Sequence, residues 1–90
     1  HLGLEIDPAT HQVTYRRRSL QLPRREYALL LALLEHPGRV WTRERLIERL
    51  YGNEQSIASN VIEVHIHGLR RKISSDYIVS LRGVGYAVKT

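Results

Sequence analysis

Residues 57–73 read IASNVIEVHIHGLRRKI, and how this stretch folds decides the reading of the whole chain. Wound as an α-helix, it sets Ile62, Ile66, Leu69 and Ile73 in one stripe at the i, i+4, i+7, i+11 spacing. Asn60, Val64, His67 and Arg71 then fall on the opposite side, with Val61 and Gly68 at one edge and Glu63 at the other. The same residues also alternate as a strand would, with Ile62, Val64 and Ile66 facing one way and Glu63, His65 and His67 the other. The aliphatic stripe runs on to Ile73, past the reach of an ordinary strand, so length favours the helix. Such a helix offers one side to a core and one side of amide, imidazole, guanidinium and aliphatic groups. Base edges in a DNA major groove ask for that mixture: donor forks for purines, an apolar contact for a thymine methyl.

Ninety residues suffice for one domain whose single core buries roughly 60–65% of the unfolded surface. There is no cysteine, which excludes a disulfide frame and a thiolate zinc site and suits a reducing compartment. No apolar run approaches the ~18 residues that a membrane span needs. The opening HLGLEID lacks the basic start of a signal peptide, and His1 as first residue suggests a domain cut from something longer. Net charge is +5, and the surplus is almost all arginine, spread along the chain rather than gathered in a tail. Any basic patch must therefore be assembled by folding. Arginine bias favours a phosphate or nucleic-acid partner, the alternative being a merely soluble basic domain.

Working outward, residues 2–6, 12–16 and 19–22 read as short strands. Asp7-Pro8 starts the first turn, where Asp can bond its own downstream backbone and Pro fixes φ. Arg16-Arg17-Arg18 sits at the second connection, where Asn-Gly or Asp-Gly would be the stronger hairpin signal. A charged turn that blunts a sheet edge explains the triplet, with a phosphate or protein contact as the alternative. Residues 24–36 form the most apolar segment, with Tyr27, Leu30, Leu31 and Leu34 in one stripe and Leu29 and Leu33 in a second. A helix so apolar belongs at the centre as scaffold, and Pro37-Gly38 stops it. Thr42 is a good N-cap for a second helix over 43–51, with Trp41 in the core before it and Gly52 after it. Past Ile73, residues 77–81 and 86–89 read as strands joined by Arg82-Gly83-Val84-Gly85. A hairpin directly after a basic helix, with an arginine at its turn, can act as a wing along the minor groove.

Other chemistries fail on spacing. His65 and His67 are about 200° apart on a helix and have no evident third ligand, so no metal site is expected. Gly83-x-Gly85 lacks the third glycine, the following helix and the later acid of a dinucleotide fingerprint. No serine or carboxylate pair stands beside a base and its orienter, so neither an enzyme nor a cofactor is expected.

The order helix, Pro-Gly, strand, Thr-capped helix, loop, EVHIHGLRRKI, LRGVGYAV resembles the winged helix-turn-helix effector domain of OmpR/PhoB-type response regulators. The resemblance covers almost the whole chain. Its specific pieces are Glu63-Val64-His65-Ile66 with Leu69-Arg70-Arg71-Lys72, and Leu81-Arg82-Gly83-Val84-Gly85-Tyr86. Leu22-x-x-x-Glu26-Tyr27-x-Leu29-Leu30 and His36-Pro37-Gly38-Arg39-Val40 support them. The wording EVHIHGLRRKI looks closest to the PmrA/QseB branch.

This resemblance implies an α+β fold with an N-terminal antiparallel sheet, three helices and a C-terminal β-hairpin wing, the whole of 1–90 forming one effector domain. The implied recognition helix is 60–73 and the wing 77–89. Asn60, Val61, Val64, His67, Gly68 and Arg71 occupy positions that face the major groove, and Arg82 the position of a minor-groove arginine. Thr42, Arg43, Tyr51, Arg70 and Ser80 fall at phosphate-contacting positions. The loop Gly52, Asn53, Glu54, Gln55 and Ser56 corresponds to a segment that touches RNA polymerase. Implied partners are double-stranded DNA in direct-repeat half-sites, a second copy on that DNA, RNA polymerase, and an N-terminal receiver domain absent from this chain. The implied setting is the bacterial cytoplasm and nucleoid.

There are departures from the family pattern. Pro23 stands where a threonine often caps the first long helix, Gly68 where relatives may carry a base-reading arginine, and the first strand is nearly absent. The domain of a membrane-anchored activator shares this fold and remains an alternative, as does a winged helix used for protein contact. An RNA-binding domain would stack aromatics on bases, and the binding helix has none.

Overall fold

The computed structural model describes residues 1–54 and 56–90. Three short strands come first, β1 (Leu4–Asp7), β2 (Gln12–Tyr15) and β3 (Arg18–Leu20), in an antiparallel sheet ordered β1-β2-β3. Leu4, Val13, Tyr15 and Leu20 point inward and are buried. The first turn forms as its chemistry requires, Asp7 Oδ1 accepting the Ala9 amide at 2.9 Å. The second is a two-residue turn between the paired Tyr15 and Arg18, with Arg16 at φ 49° and Arg17 at φ 68°. Tight hairpins need that left-handed backbone and usually take it from Asn-Gly. Here two arginines adopt it, at a cost of roughly 1–2 kcal/mol each.

Helix α1 (Arg24–Leu34) starts at Pro23 without a side-chain cap, as the missing hydroxyl requires. Its deeply buried residues are Glu26, Leu29, Leu30, Ala32 and Leu33. The inward stripe is thus rotated from the one expected: Leu31 lies outside, 37% exposed, while an acid lies within. The helix ends two residues before the expected His36, and Gly38 (φ 87°) turns the chain so that its amide reaches Val88 O at 3.0 Å. Thr42 then caps α2 (Arg43–Tyr51), its hydroxyl oxygen accepting the Arg45 amide at 3.2 Å.

Residues 61–72 are helical, α3 (Val61–Lys72), so the helix prevails over the strand in the stretch that both periodicities fit. A strand there would have buried Val64 with Ile62 and Ile66. Instead Ile62, Ile66, Leu69 and Ile73 are buried among α1 and α2 side chains, and Val64 is exposed. Strands β4 (Ile78–Leu81) and β5 (Gly85–Val88) follow as a hairpin, with Gly83 (φ 76°) in its turn. The wing is joined to the body by Trp41, which exchanges backbone bonds with Tyr86: its amide donates at 2.8 Å and its carbonyl accepts at 2.9 Å. The architecture is therefore a winged helix with an N-terminal sheet.

Gly85 is read differently once the fold is known. It lies in β5, where a Cβ would overlap the Trp41 carbonyl oxygen, so close backbone approach and not the turn demands glycine. Gly85→Ala should lower unfolding free energy by about 1–3 kcal/mol or more, and Gly83→Ala by about 1–2 kcal/mol from its backbone alone. Urea denaturation of both variants measures the difference. Wild-type stability in Gly85→Ala would refute the close-approach explanation.

Candidate nucleic-acid interface

The two sides of α3 divide as its periodicity dictates. Ile62, Ile66 and Leu69 lock one side inward, while Asn60, Val64, His67 and Arg71 all stand in solvent. Val64 is 54% exposed, an aliphatic group that the protein itself does not cover. Asn60 occupies the N-cap position, but its side chain makes no capping bond and is exposed. Val61 is half-buried at the core margin. Arg82 stands exposed in the wing turn, beside Gly83 and the exposed Val84.

Several other expected contact residues are engaged in holding α3 and the wing together. Arg43 Nε donates to Glu63 Oε2 at 2.9 Å, and the Tyr86 hydroxyl donates to the same oxygen at 3.4 Å. Burial and the Glu63 carboxylate push the Tyr86 phenol up from its ordinary pKa. Helix α2, α3 and β5 meet at this one carboxylate. Arg70 donates from Nε and Nη2 to the Ile78 carbonyl at 3.1 and 2.7 Å, and from Nη2 to Ser80 Oγ at 2.7 Å. Arg70, expected at a phosphate, thus also fastens β4 to α3 through its guanidinium. Ser80 accepts that bond, which leaves its own O–H to donate outward.

Gly68, expected at the edge of the major-groove side, is half-buried, and a Cβ there would overlap the Glu26 carboxylate of α1. Lys72 Nζ holds that carboxylate at 2.6 Å. Periodicity carried a clue to Glu26, an acid at i−3, i−4 and i−7 from Leu29, Leu30 and Leu33, within the stripe that proves deepest. On α2, Tyr51 shares a 2.7 Å hydrogen bond with His65 Nε2. The Arg25 guanidinium lies 4.2 Å from the centre of the Tyr51 ring and donates to Leu50 O. His65 is therefore packed, as its place beside the core stripe suggests. The contacts of Glu63 and Arg25 were not legible in the sequence, because contacts between helices leave no periodic trace.

Gly52, Asn53, Glu54 and Ser56 form an exposed loop, and Gln55 of the same expected segment lies outside the described residues. Among the described residues no group of histidine and acidic side chains could hold a metal, and no helix is long and apolar enough to cross a membrane.

Residues 17–88 match the family model described as "Transcriptional regulatory protein, C terminal". Over 98% of its length the chain is 49% identical to the response regulator protein PmrA of Pseudomonas aeruginosa, and spans 40% of that protein. It is 39% identical over 98% of its length to the transcriptional regulatory protein QseB of Escherichia coli O157:H7, again spanning 40%. The fold matches the DNA-binding domain of the response regulator AdeR, solved in complex with an intercistronic region. That match has a TM-score of 0.87 and 26% identity, over 100% of this chain and 97% of the other.

The Tyr51–His65 contact has a pH signature. Burial, the largest influence, holds the His65 pKa below its ordinary value, with Glu26 opposing and Arg25 assisting. The folded chain thus binds this proton less readily than the unfolded chain, whose histidine titrates near ~6.5. The associated stability is present above about pH 6.5 and is lost as pH falls through the folded value. His65→Gln should flatten the decline in melting temperature between about pH 7 and pH 5. Glu35, held low by Arg49, and Asp76, held low by Ser74 and Lys89, keep their slope at lower pH in both proteins. An unchanged decline in His65→Gln would assign the titration elsewhere.

Proposed function

This chain belongs to the transcriptional regulatory protein C-terminal family, the winged-helix effector domains of OmpR/PhoB-type response regulators, and from that premise we propose that it binds double-stranded DNA sequence-specifically, with α3 in the major groove and the β4–β5 wing at the minor groove. The observation that carries this reading is the free side of α3: Asn60, Val64, His67 and Arg71 exposed together on a helix whose other side is locked in the core. Asn60 and Arg71 supply amide and guanidinium forks for purine edges, Val64 meets a thymine methyl, and His67 donates or accepts according to its tautomer. Arg82 enters the minor groove. Thr42, Arg43, Tyr51 and Ser80 border the backbone and position the domain without reading sequence. Arg43 and Tyr51 are oriented by Glu63 and His65, Arg70 reaches a phosphate while bracing the wing, and Val61 and Gly68 lie at the margin of the major-groove side.

On this reading residues 1–90 form one effector domain that works by binding and not by catalysis, in the bacterial cytoplasm on nucleoid DNA. The full-length protein carries an N-terminal receiver domain, as befits a chain that spans 40% of its relatives. Two copies bind direct-repeat half-sites, and the loop of residues 52–56 meets RNA polymerase.

Selection of duplexes from a random pool by the 90-residue chain tests the reading, the expected product being a direct repeat spaced about one helical turn. On the selected site Arg71→Ala should weaken binding by ~1–3 kcal/mol and relax preference at one base pair. Equal weakening on random DNA would make Arg71 a phosphate contact instead. Arg82→Ala should weaken binding most where the flank is an A·T tract with a narrow minor groove; indifference to the flank would argue against insertion.

A further inference from the structure

Three consecutive arginines, Arg16, Arg17 and Arg18, have no part in the interface described so far. They form the β2–β3 hairpin, and one of them ties that hairpin to the recognition helix: Arg18 Nη2 donates to the Lys72 carbonyl, in the last turn of α3, at 3.0 Å. Arg16 and Arg18 line a hollow together with Ile73 and Ser74, the residues that follow α3. The Arg16 guanidinium lies 5.2 Å from the centre of the Tyr15 ring. All three arginines are exposed, and among the described residues none has a carboxylate within ion-pair distance. The turn residues Arg16 and Arg17 hold left-handed backbone that glycine or asparagine would adopt more readily.

Each observation has an ordinary structural side. Arg18 satisfies a carbonyl at a helix C-terminus, where a cation is favourable, and Arg16 leans on an aromatic ring. Arg17 has neither contact. It is a cation at the hairpin tip, one residue from an arginine bonded to the end of α3, in the same helical turn as the exposed Arg71. A duplex that engages Arg71 continues past that end of the helix and presents a phosphate every ~3.4 Å along each strand. We infer that the Arg16–Arg17 hairpin tip is an additional contact for DNA backbone phosphate, centred on Arg17 and adjoining the C-terminal end of the recognition helix. This inference rests on the DNA-binding reading above. It extends the footprint to the N-terminal sheet, beyond α2, α3 and the wing.

The test is DNA affinity as a function of salt for the wild-type 90-residue chain, Arg17→Gly and Arg17→Lys, on the selected site and on a scrambled duplex of equal length. Arg17→Gly removes the charge while easing the backbone, so its melting temperature should equal or exceed that of the wild type. Its log affinity against log salt should be shallower by about 0.9, the value for one phosphate, so that it forgoes about an eightfold gain in affinity per tenfold dilution of salt. The loss should be alike on both duplexes, because phosphate carries no sequence, and Arg17→Lys should restore the slope. Wild-type affinity and slope in Arg17→Gly would overturn the inference while leaving the parent reading intact. So would a loss confined to cooperativity between two half-sites, which would assign the tip to contact between copies. Failure of the wild type to bind any duplex would overturn the parent reading and this inference with it.

Discussion

Burial of the aliphatic stripe of α3 is the constraint on which the rest of the molecule depends. Ile62 and Leu69 are wholly removed from solvent and Ile66 nearly so, packed with Leu29, Leu30 and Leu33 of α1. Each such side chain contributes about 1.5–3 kcal/mol on burial. A helix turns about 100° per residue, which places a residue two positions from a buried one about 200° round from it. Asn60, Val64, His67 and Arg71 are exposed for that geometric reason.

Hydrophobic burial is non-directional, however, and a stripe of branched aliphatics tolerates some rotation of the helix it holds. Polar contacts supply the direction. Lys72 holds the Glu26 carboxylate in the space that a side chain at position 68 would occupy, so the absence of one at Gly68 leaves room for the pair. The pair adds little net stability by itself, since removing two charges from water offsets much of their attraction. Its contribution is to orientation. Tyr51 with His65 orients α3 against α2, and Glu63 with Arg43 and Tyr86 ties it to α2 and the wing together.

The wing depends on the same helix. Arg70 bonds the Ile78 carbonyl and Ser80 from the side of α3 that adjoins the hairpin, while Trp41 and Tyr86 join β5 to the segment that enters α2. A two-stranded hairpin is marginal in isolation; here it is held along both strands. Side chains around α3 thus divide into those that hold it and those left free, and the free ones suit the reading of a base pair.

How far the sequence reached follows from the range of each interaction. Helix stops at Gly52 and near Pro37-Gly38, the cap at Thr42, the Asp7 turn and the buried stripe of α3 are local or periodic, and all were legible. The tilt of α1 that puts Glu26 inside and Leu31 outside was not, because a helix apolar nearly all round has no single preferred face until its neighbours choose one. The partners of Arg43, Arg70, Tyr51 and Gly68 were equally hidden: each lies on another element, and no spacing rule relates them. The chain by itself determined which elements form and which side of α3 seeks the core, since those depend on propensity, capping and period. Only the tertiary structure decided which arginines are bound and which stay free, because a guanidinium pairs with whatever acceptor the packing of helices and strands brings within about 3 Å.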